Sequence, residues 1–360
     1  MSEELELLRW CLHGGAIPQT AYRICWHDLL EFAKKQAIVG VYWQGISQLG
    51  SMQTNKPTDD DVMEWMAAIQ HLEKKNRKAN EKAVWVSGTF LKEGFRSCLL
   101  KGQGNALLYP TPLWRQSGDI DIWVEGEDDT LIAYARRFVP KAKAVYHHVD
   151  FISTSNIEVE LHYRPSWMSC PWYNRRLQQF FGQQRDSQMS HQVALGGGHI
   201  AVPTWQFNVV YQICHIYLHL LKEGIGLRQT IDYYYLLLNH GAATDEERRE
   251  IGVLLRRLGL RHISGALMWL LHEVLGLDEE YLIAPMDSRR GRHMLHEMMA
   301  SGNFGKYDER AMSGMYGSGL KHNIQRLWRD VRMVRYYPAE CIWEPWFRIW
   351  HLFWRRRHNR

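Results

Sequence analysis

The sequence predicts an α+β protein, a small sheet set between two helical regions. Three observations predict it. Apolar residues recur at helical spacing in residues 1–82 and again from Pro203 onward. Between those regions, Ile120–Val124, Val145–Phe151 and Ile157–Tyr163 read as strands, the last by its strict alternation. Glycine turns and polar clusters punctuate the middle region. The expected division is an N-terminal helical region at 1–82, a sheet-bearing region at 83–202 and a C-terminal helical domain at 203–360.

The first helices rest on the apolar stripe through Leu5, Leu8 and Leu12 and on a second through Leu29, Phe32 and Ala33. A loop is expected at Ser51–Pro57. Thr58 followed by Asp59, Asp60 and Asp61 reads as an N-cap with acids in the first turn, where the helix dipole favours them. No proline interrupts Val62–Lys92, and Gly88 alone need not break it, so that helix is expected to run to about Gly94. The second and third strands are expected to be joined by the polar turn Ser153–Asn156. Beyond Pro203 the stripe Val209, Ile213, Ile216 and Leu220 marks a buried helix.

Asp119-Ile120-Asp121 is the most telling segment. On a strand the two carboxylates share one face, while Ile120, Ile122 and Val124 point into a core. Two such charges about 4 Å apart repel by roughly 4 kcal/mol at an effective dielectric of about 20. A divalent cation between them would offset that cost, and Mg²⁺ prefers one or two carboxylates plus phosphate oxygens. The plainer reading is a pair hydrated on a turn or a sheet edge. Against it, aspartate is depleted in strands, and the flanking Ile-Trp-Val run implies burial. On the last strand, Glu158, Glu160 and His162 alternate with apolar residues, which suits either a solvated face or a third carboxylate delivered to the pair. A two-metal site needs that third carboxylate.

With these pieces in hand the chain resembles a known family. Strand, glycine turn, short helix, Asp-x-Asp strand and a carboxylate on a later strand are the layout of the polymerase-β-type nucleotidyltransferase superfamily. Leu99–Pro110, Trp114–Val124 and Val159–Met168 look closer still to the uncharacterised bacterial nucleotidyltransferases, with their Leu-Lys-Gly turn and carboxylate-x-His strand. The resemblance extends through Gly196–Ile200 and His215–Leu237 and covers roughly residues 85–270. It implies a small mixed-sheet palm flanked by helices. It also implies that Asp119, Asp121 and Glu160 bind metal and carry catalysis. Lys101, Gly102, Gln103 and Arg115 would then hold the nucleotide phosphates, Arg115 being the better suited to a bidentate grip; the plainer reading of Lys101 and Arg115 is a surface or cross-strand ion pair. Gly102 would admit the triphosphate because no Cβ blocks it. The superfamily's usual turn is glycine followed by glycine or serine; here Gln103 follows Gly102. Glu158 and His162 would support Glu160, His162 also being readable as a hydrogen-bonded structural histidine.

Other residues carry less. His215 and His219 share a helix face, as a zinc pair would, but without a His-Glu-x-x-His pattern or an obvious third ligand they read as structural. Arg228 and Asp232, four apart, read as an intrahelical pair, with a role for Arg228 near the nucleotide held open. His147 and His148, as neighbours on a strand, are expected to face opposite sides. Eight apolar residues from Trp343 to Trp354 crowd a helix expected to begin near Pro345, ahead of Arg355-Arg356-Arg357. Packing in the core or a dimer ranks ahead of peripheral contact with an anionic membrane, and of RNA contact.

At 360 residues, 46% hydrophobic and 23% charged, the chain has the composition of an ordinary folded protein with a sizeable core. A formal charge of +5 does not call for a nucleic-acid partner. Six scattered cysteines indicate neither a zinc site nor a disulfide framework. The acidic N-terminus lacks a signal peptide's basic region, and no apolar run approaches the roughly 18 residues of a membrane span, so a cytoplasmic protein is expected. The expectation is a Mg²⁺-dependent enzyme, with two ions and Mn²⁺ as a substitute. It would move a nucleoside monophosphate, AMP from ATP, to a small-molecule or protein acceptor and release pyrophosphate. The alternatives are an inactive palm used for nucleotide sensing or protein binding and, ranked lower, an RNA-modifying transferase.

Overall fold

The structure, a computed structural model, describes residues 2–49, 55–152, 157–303 and 319–359. The expected turn at 153–156 and residues 51–54 of the expected loop lie outside the described residues. Helices α1 (Glu3–His13), α2 (Trp26–Gln36) and α3 (Val39–Ile46) bury Leu5, Leu8, Leu29 and Ala33 in one large helical core. The next helix, α4 (Asp59–Lys92), is 34 residues long. Its start is fixed as the residue pattern requires: the Thr58 hydroxyl accepts from the Asp61 amide at 3.1 Å, and the Asp61 carboxylate accepts from the Thr58 amide at 2.9 Å.

α4 joins the two halves of the molecule. Trp65 and Ile69 on its first half belong to the helical core, whereas Ala79, Ala83, Val86 and Phe90 on its second half belong to the core beneath the sheet. One uninterrupted helix can serve both because its apolar stripe continues past residue 82.

The sheet comprises β1 (Ser97–Leu99), β2 (Ile120–Val124), β3 (His148–Asp150) and β4 (Val159–His162), in the order β1-β2-β4-β3. β1 and β2 run antiparallel, β2 and β4 parallel, and β4 and β3 antiparallel, so the sheet is mixed. Between β1 and β2 lies the short helix α5 (Gln103–Ala106), and between β2 and β3 lies α6 (Asp128–Phe138). β3 and β4 are shorter than the alternating segments that contain them. The ladder of β3 ends at Asp150, opposite Glu160, and Tyr163 turns away to bond the His147 carbonyl.

After α7 (Pro171–Ser190) comes the hairpin of β5 (Gln192–Leu195) and β6 (Gly198–Ala201). Its turn residues Gly196 and Gly197 have φ of +53° and +82°, which glycine tolerates without strain. A Cβ on Gly196 would also lie 2.8 Å from the Asn80 backbone, so the hairpin seats directly on α4. The remaining helices are α8 (Trp205–Lys222), α9 (Leu227–His240), α10 (Asp245–Arg257), α11 (Arg261–Trp269), α12 (Ser288–Ser301), α13 (Gly319–Met333) and α14 (Pro338–His358). Val209, Ile213, Ile216 and Leu220 of α8 are buried as a stripe. No helix among the described residues is long and apolar enough to cross a membrane.

α14 corrects one expectation. It begins at Pro338, not near Pro345, because proline at the first helical position loses no hydrogen bond there and its φ is already helical. Pro345 is carried inside the helix, which continues through it without the hydrogen bond an N–H there would make. Phe347 stacks on Trp167 with ring centres 4.1 Å apart, Trp350 meets Tyr146 edge-on, and Trp354 packs on the core beneath the sheet. The opposite stripe, Ile342, Trp346, Ile349 and Phe353, is more than half exposed.

Phe90 is fully buried between Tyr134 and Phe151, where α4 meets the sheet. Phe90→Ala should therefore cost about 3–5 kcal/mol, seen as a lower urea midpoint at an unchanged m-value. A loss below about 1 kcal/mol would show that α4 does not anchor the sheet through this ring.

Candidate active site

The parallel register of β2 and β4 sets Asp121 beside Glu160. Asp121 is 1% exposed, whereas Glu160 is partly open to a cleft of about 440 Å³ between the sheet and helices α8, α13 and α14. Asp119, two residues before Asp121 and just outside β2, lines the same cleft and is also partly exposed. The three carboxylates singled out by residue pattern therefore open on one cavity.

Two cations face them. The Lys101 ammonium, at the end of the β1 turn, lies 3.2 Å from Asp121 Oδ2, an oxygen that makes no hydrogen bond. His162, two residues along β4 from Glu160, directs Nε2 to Asp121 Oδ1 at 3.0 Å and to Glu160 Oε2 at 3.1 Å. Burial works against the charge on both carboxylates, but these neighbours prevail. Lys101 and His162 hold the Asp121 carboxyl below its usual range, and His162 and His148 bring Glu160 down to about 2. Burial likewise opposes the imidazolium of His162, yet its two carboxylate bonds raise it to about 9. His162 is thus a charged double donor at neutral pH.

His148 completes the cluster from β3, with Nδ1 3.1 Å from Glu160 Oε2. Burial lowers its pKa, against the pull of the Glu160 carboxylate. His147 corrects another expectation. It lies in the bend before β3, where strand alternation does not apply, and its Nε2 is 3.1 Å from His148 Nδ1. Ligand atoms of His147, His148 and His162 lie within 4.8 Å of one another, as do those of Asp121, Glu160 and His162. Glu158, by contrast, is exposed and outside the cleft lining, its carbonyl pairing with the Ile120 amide.

The glycine turn follows Lys101 directly. Gly102 has φ +63°, a conformation costly for any residue with a Cβ, and it caps α5. Gln103 does not offer its side chain here: that group is 1% exposed and lines neither the cleft nor the pocket behind Asp119. Arg115 is committed elsewhere. Its guanidinium, 3% exposed, grips Asp232 of α9 through Nε at 2.7 Å and Nη2 at 2.6 Å, and Tyr109 donates to the same carboxylate. The fork that suits a phosphate is thus spent on a carboxylate. The partner expected for Arg228 is in turn taken by Arg115, while Arg228 Nη1 donates to the Gln116 carbonyl. Arg228 nonetheless lines, with Gly102 and Asp119, a pocket of about 20 Å³ behind the carboxylates.

The far wall of the cleft was not readable from local pattern. His215 and His219 of α8 line it, with ring centres 4.2 Å apart, and His219 pairs with Glu223. Lys222, one helical turn further on, holds its ammonium 3.2 Å over the Trp167 ring; burial and then Arg326 bring it down to about 7. The only sequence signal for this wall was the i, i+4, i+7 spacing of 215, 219 and 222 on one helix face.

Asp232→Ala would leave the Arg115 charge buried and unpaired, so a loss of about 3–5 kcal/mol is expected on chemical denaturation. A near-neutral effect would mean that water reaches Arg115. The His162 proton is held more tightly in the folded chain (about 9) than in the unfolded one (about 6.5). In chelator-treated protein its stabilising contribution is therefore complete below about pH 6.5 and is lost as pH rises through about 9. The melting temperature should fall across that window, and His162→Gln should flatten the fall; an equally steep fall in the variant would assign it to another group.

No curated protein shows significant similarity to the chain. Among solved structures, an antigenic nucleotidyltransferase-like protein from Paracoccidioides brasiliensis matches at 12% identity and a TM-score of 0.34, over 61% of this chain and 96% of its own. A family model described as uncharacterised nucleotidyltransferase matches residues 23–276, a span that takes in the N-terminal helices from Arg23, the whole sheet and the helices through α11. The chain belongs to the uncharacterised nucleotidyltransferase family.

Proposed function

We propose that the chain is a Mg²⁺-dependent nucleotidyltransferase that moves AMP from ATP to an acceptor nucleophile bound in the cleft. The observation that carries this reading is the meeting of Asp119, Asp121 and Glu160 on one cavity, two of them by strand register. Family membership supports the reaction class. The donor set is made of hard carboxylate oxygens, of the kind a hard divalent cation takes, and Asp121, Glu160 and His162 bring ligand atoms within 4.8 Å of one another. Asp119, Asp121 and Glu160 would hold the metal, which supplies charge neutralisation on the phosphates and lowers the pKa of a bound acceptor oxygen.

The chain's own residues do the rest. In the reaction the acceptor oxygen or nitrogen forms a bond to the α-phosphorus, the bond from that phosphorus to the bridging oxygen breaks, and pyrophosphate leaves with the electron pair. Lys101, beside Asp121 and next to Gly102, suits neutralisation of phosphate oxygens brought to the glycine turn. Gly102 lets the chain approach that group without a Cβ. His162 orients Asp121 and Glu160 through its two hydrogen bonds. On the acceptor side, the cleft wall of His215, His219, Lys222 and Trp167 would receive a small molecule or a protein side chain.

Asp119→Asn and Asp121→Asn should each lower Mg²⁺-dependent turnover by at least about 100-fold while the circular dichroism spectrum stays unchanged. Before an acceptor is in hand, calorimetry with each NTP, with and without Mg²⁺, reads the same site. Metal-dependent binding of ATP that is lost in the Asp119→Ala/Asp121→Ala protein is the expected result. Glu160→Gln should reduce turnover far more than ATP affinity. Unchanged turnover in either aspartate variant would overturn the metal assignment, and no binding of any NTP would favour an inactive palm.

A further inference from the structure

A second basic cavity, of about 640 Å³, lies among α10, α11 and the start of α12 and shares no lining residue with the cleft. Arg248, Arg249 and Arg256 reach it from α10, Arg261 from the first position of α11, and Arg289 and Arg290 from the first turn of α12. Against these six arginines stands one acid, Asp287. The whole chain carries a formal charge of only +5, so six arginines around one cavity are a local concentration of positive charge.

The lone acid does not neutralise the site. Asp287 is used by Arg290, whose Nη1 donates to it at 2.6 Å and whose amide donates to it as an N-cap. Arg248 pairs with Asp245 and donates to the Leu282 and Glu280 carbonyls, and Arg249 pairs with Glu246. Among the described residues, Arg256, Arg261 and Arg289 have no carboxylate within ion-pair distance. Arg256 donates to the Gly252 carbonyl, and Arg289 lies over the Tyr336 ring. His262 also lines the cavity; burial and then Arg290 and Arg261 lower its pKa.

The floor is rigid. The Asp287 amide donates to the Gly265 carbonyl at 2.9 Å, and a Cβ on Gly265 would stand 3.1 Å from the Pro285 carbonyl. Leu255, Ala284 and Met286 add an apolar patch between the charges. The guanidinium groups of Arg256, Arg261 and Arg289, which have no carboxylate partner among the described residues, can fork donors onto phosphate oxygens. The volume lies in the range of small-molecule sites. Exposed acids flank the cavity at Asp245, Glu246 and Glu250 on α10 and at Glu280 nearby, so the positive surface is not a stripe along which a nucleic-acid backbone could run.

We propose that this cavity binds a small, multiply phosphorylated ligand, at a site separate from the nucleotidyl-transfer cleft. It does not depend on the reading of that cleft. The test is calorimetric titration of the full chain with inorganic tripolyphosphate in the absence of divalent metal. Saturable binding is expected, and Arg256→Gln/Arg261→Gln/Arg289→Gln should weaken it at least 10-fold. Asp119→Asn/Asp121→Asn should leave the arginine-dependent binding within about twofold. The three arginines are exposed, so the triple variant should keep its melting temperature; Arg261→Gln alone, expected to weaken binding severalfold, provides a check if it does not. Undiminished binding in both arginine variants would overturn the proposal. So would a single-stranded RNA 20-mer that binds through the same arginines more tightly than tripolyphosphate does.

Discussion

Placing two carboxylates side by side in a buried sheet is the constraint around which the centre of this protein is arranged. The parallel register of β2 and β4 leaves no freedom in the matter, because Asp121 pairs with Glu160. Unshielded, such a pair would repel by several kcal/mol at the effective dielectric of a protein interior, roughly 20. The chain answers with Lys101 from the first strand's turn and His162 from the same strand as Glu160, each within about 3 Å of a carboxylate oxygen. Both cations come from immediate neighbours of the strands that create the problem. Replacing either cation by a neutral residue would leave buried like charges uncompensated.

That cluster is positioned by two larger devices. α4 runs through both cores, and midway along it Asn76 donates to the Leu113 and Arg115 carbonyls, fixing the segment that leads into Asp119. Arg115 then ties this segment to α9 through its buried bidentate pair with Asp232. One is a stiff element with continuous apolar burial, and the other is a directional polar link between sheet and helical domain. Such a pair contributes less net stability than its geometry suggests, but its loss on one side is costly, so it fixes where the cleft wall stands. α14 closes the other end by stacking Phe347 on Trp167 and laying Trp354 over the sheet's core.

Charge is distributed unevenly over the rest of the molecule. Acidic groups of the C-terminal helices are drawn inward: Glu340 and Glu344 are nearly fully buried, Glu340 accepting from the Ser169 and Cys170 amides and Glu344 pairing with Arg326 and Arg348. Arginines of α10–α12 instead line a common cavity, three of them without a carboxylate partner among the described residues. A protein whose overall charge is modest can therefore hold a carboxylate cluster at one place and a guanidinium cluster at another, each suited to a different ligand.

Much of this was legible in the residues. The α4 start, the α8 stripe and the strand that carries Asp121 follow from local rules of capping and periodicity, which act over a few neighbouring residues. The alternation of Glu160 and His162 with apolar residues set them on one face before any contact was known. What local pattern could not supply was the choice of partner. Arg115 and Asp232 are 117 residues apart, and nothing local distinguishes a guanidinium that will meet phosphate from one that will meet a carboxylate. His147 joined His148 because the chain bends before β3, and Pro345 lies inside α14, whose neighbouring Phe347 and Trp350 pack on Trp167 and Tyr146. Residue order was enough to mark α4, α8 and the strand of Asp121, and the face that Glu160 and His162 share. Which charges neutralise one another was settled only by folding, because a charge is satisfied by whatever lies within a few ångströms in space, however distant it is along the chain.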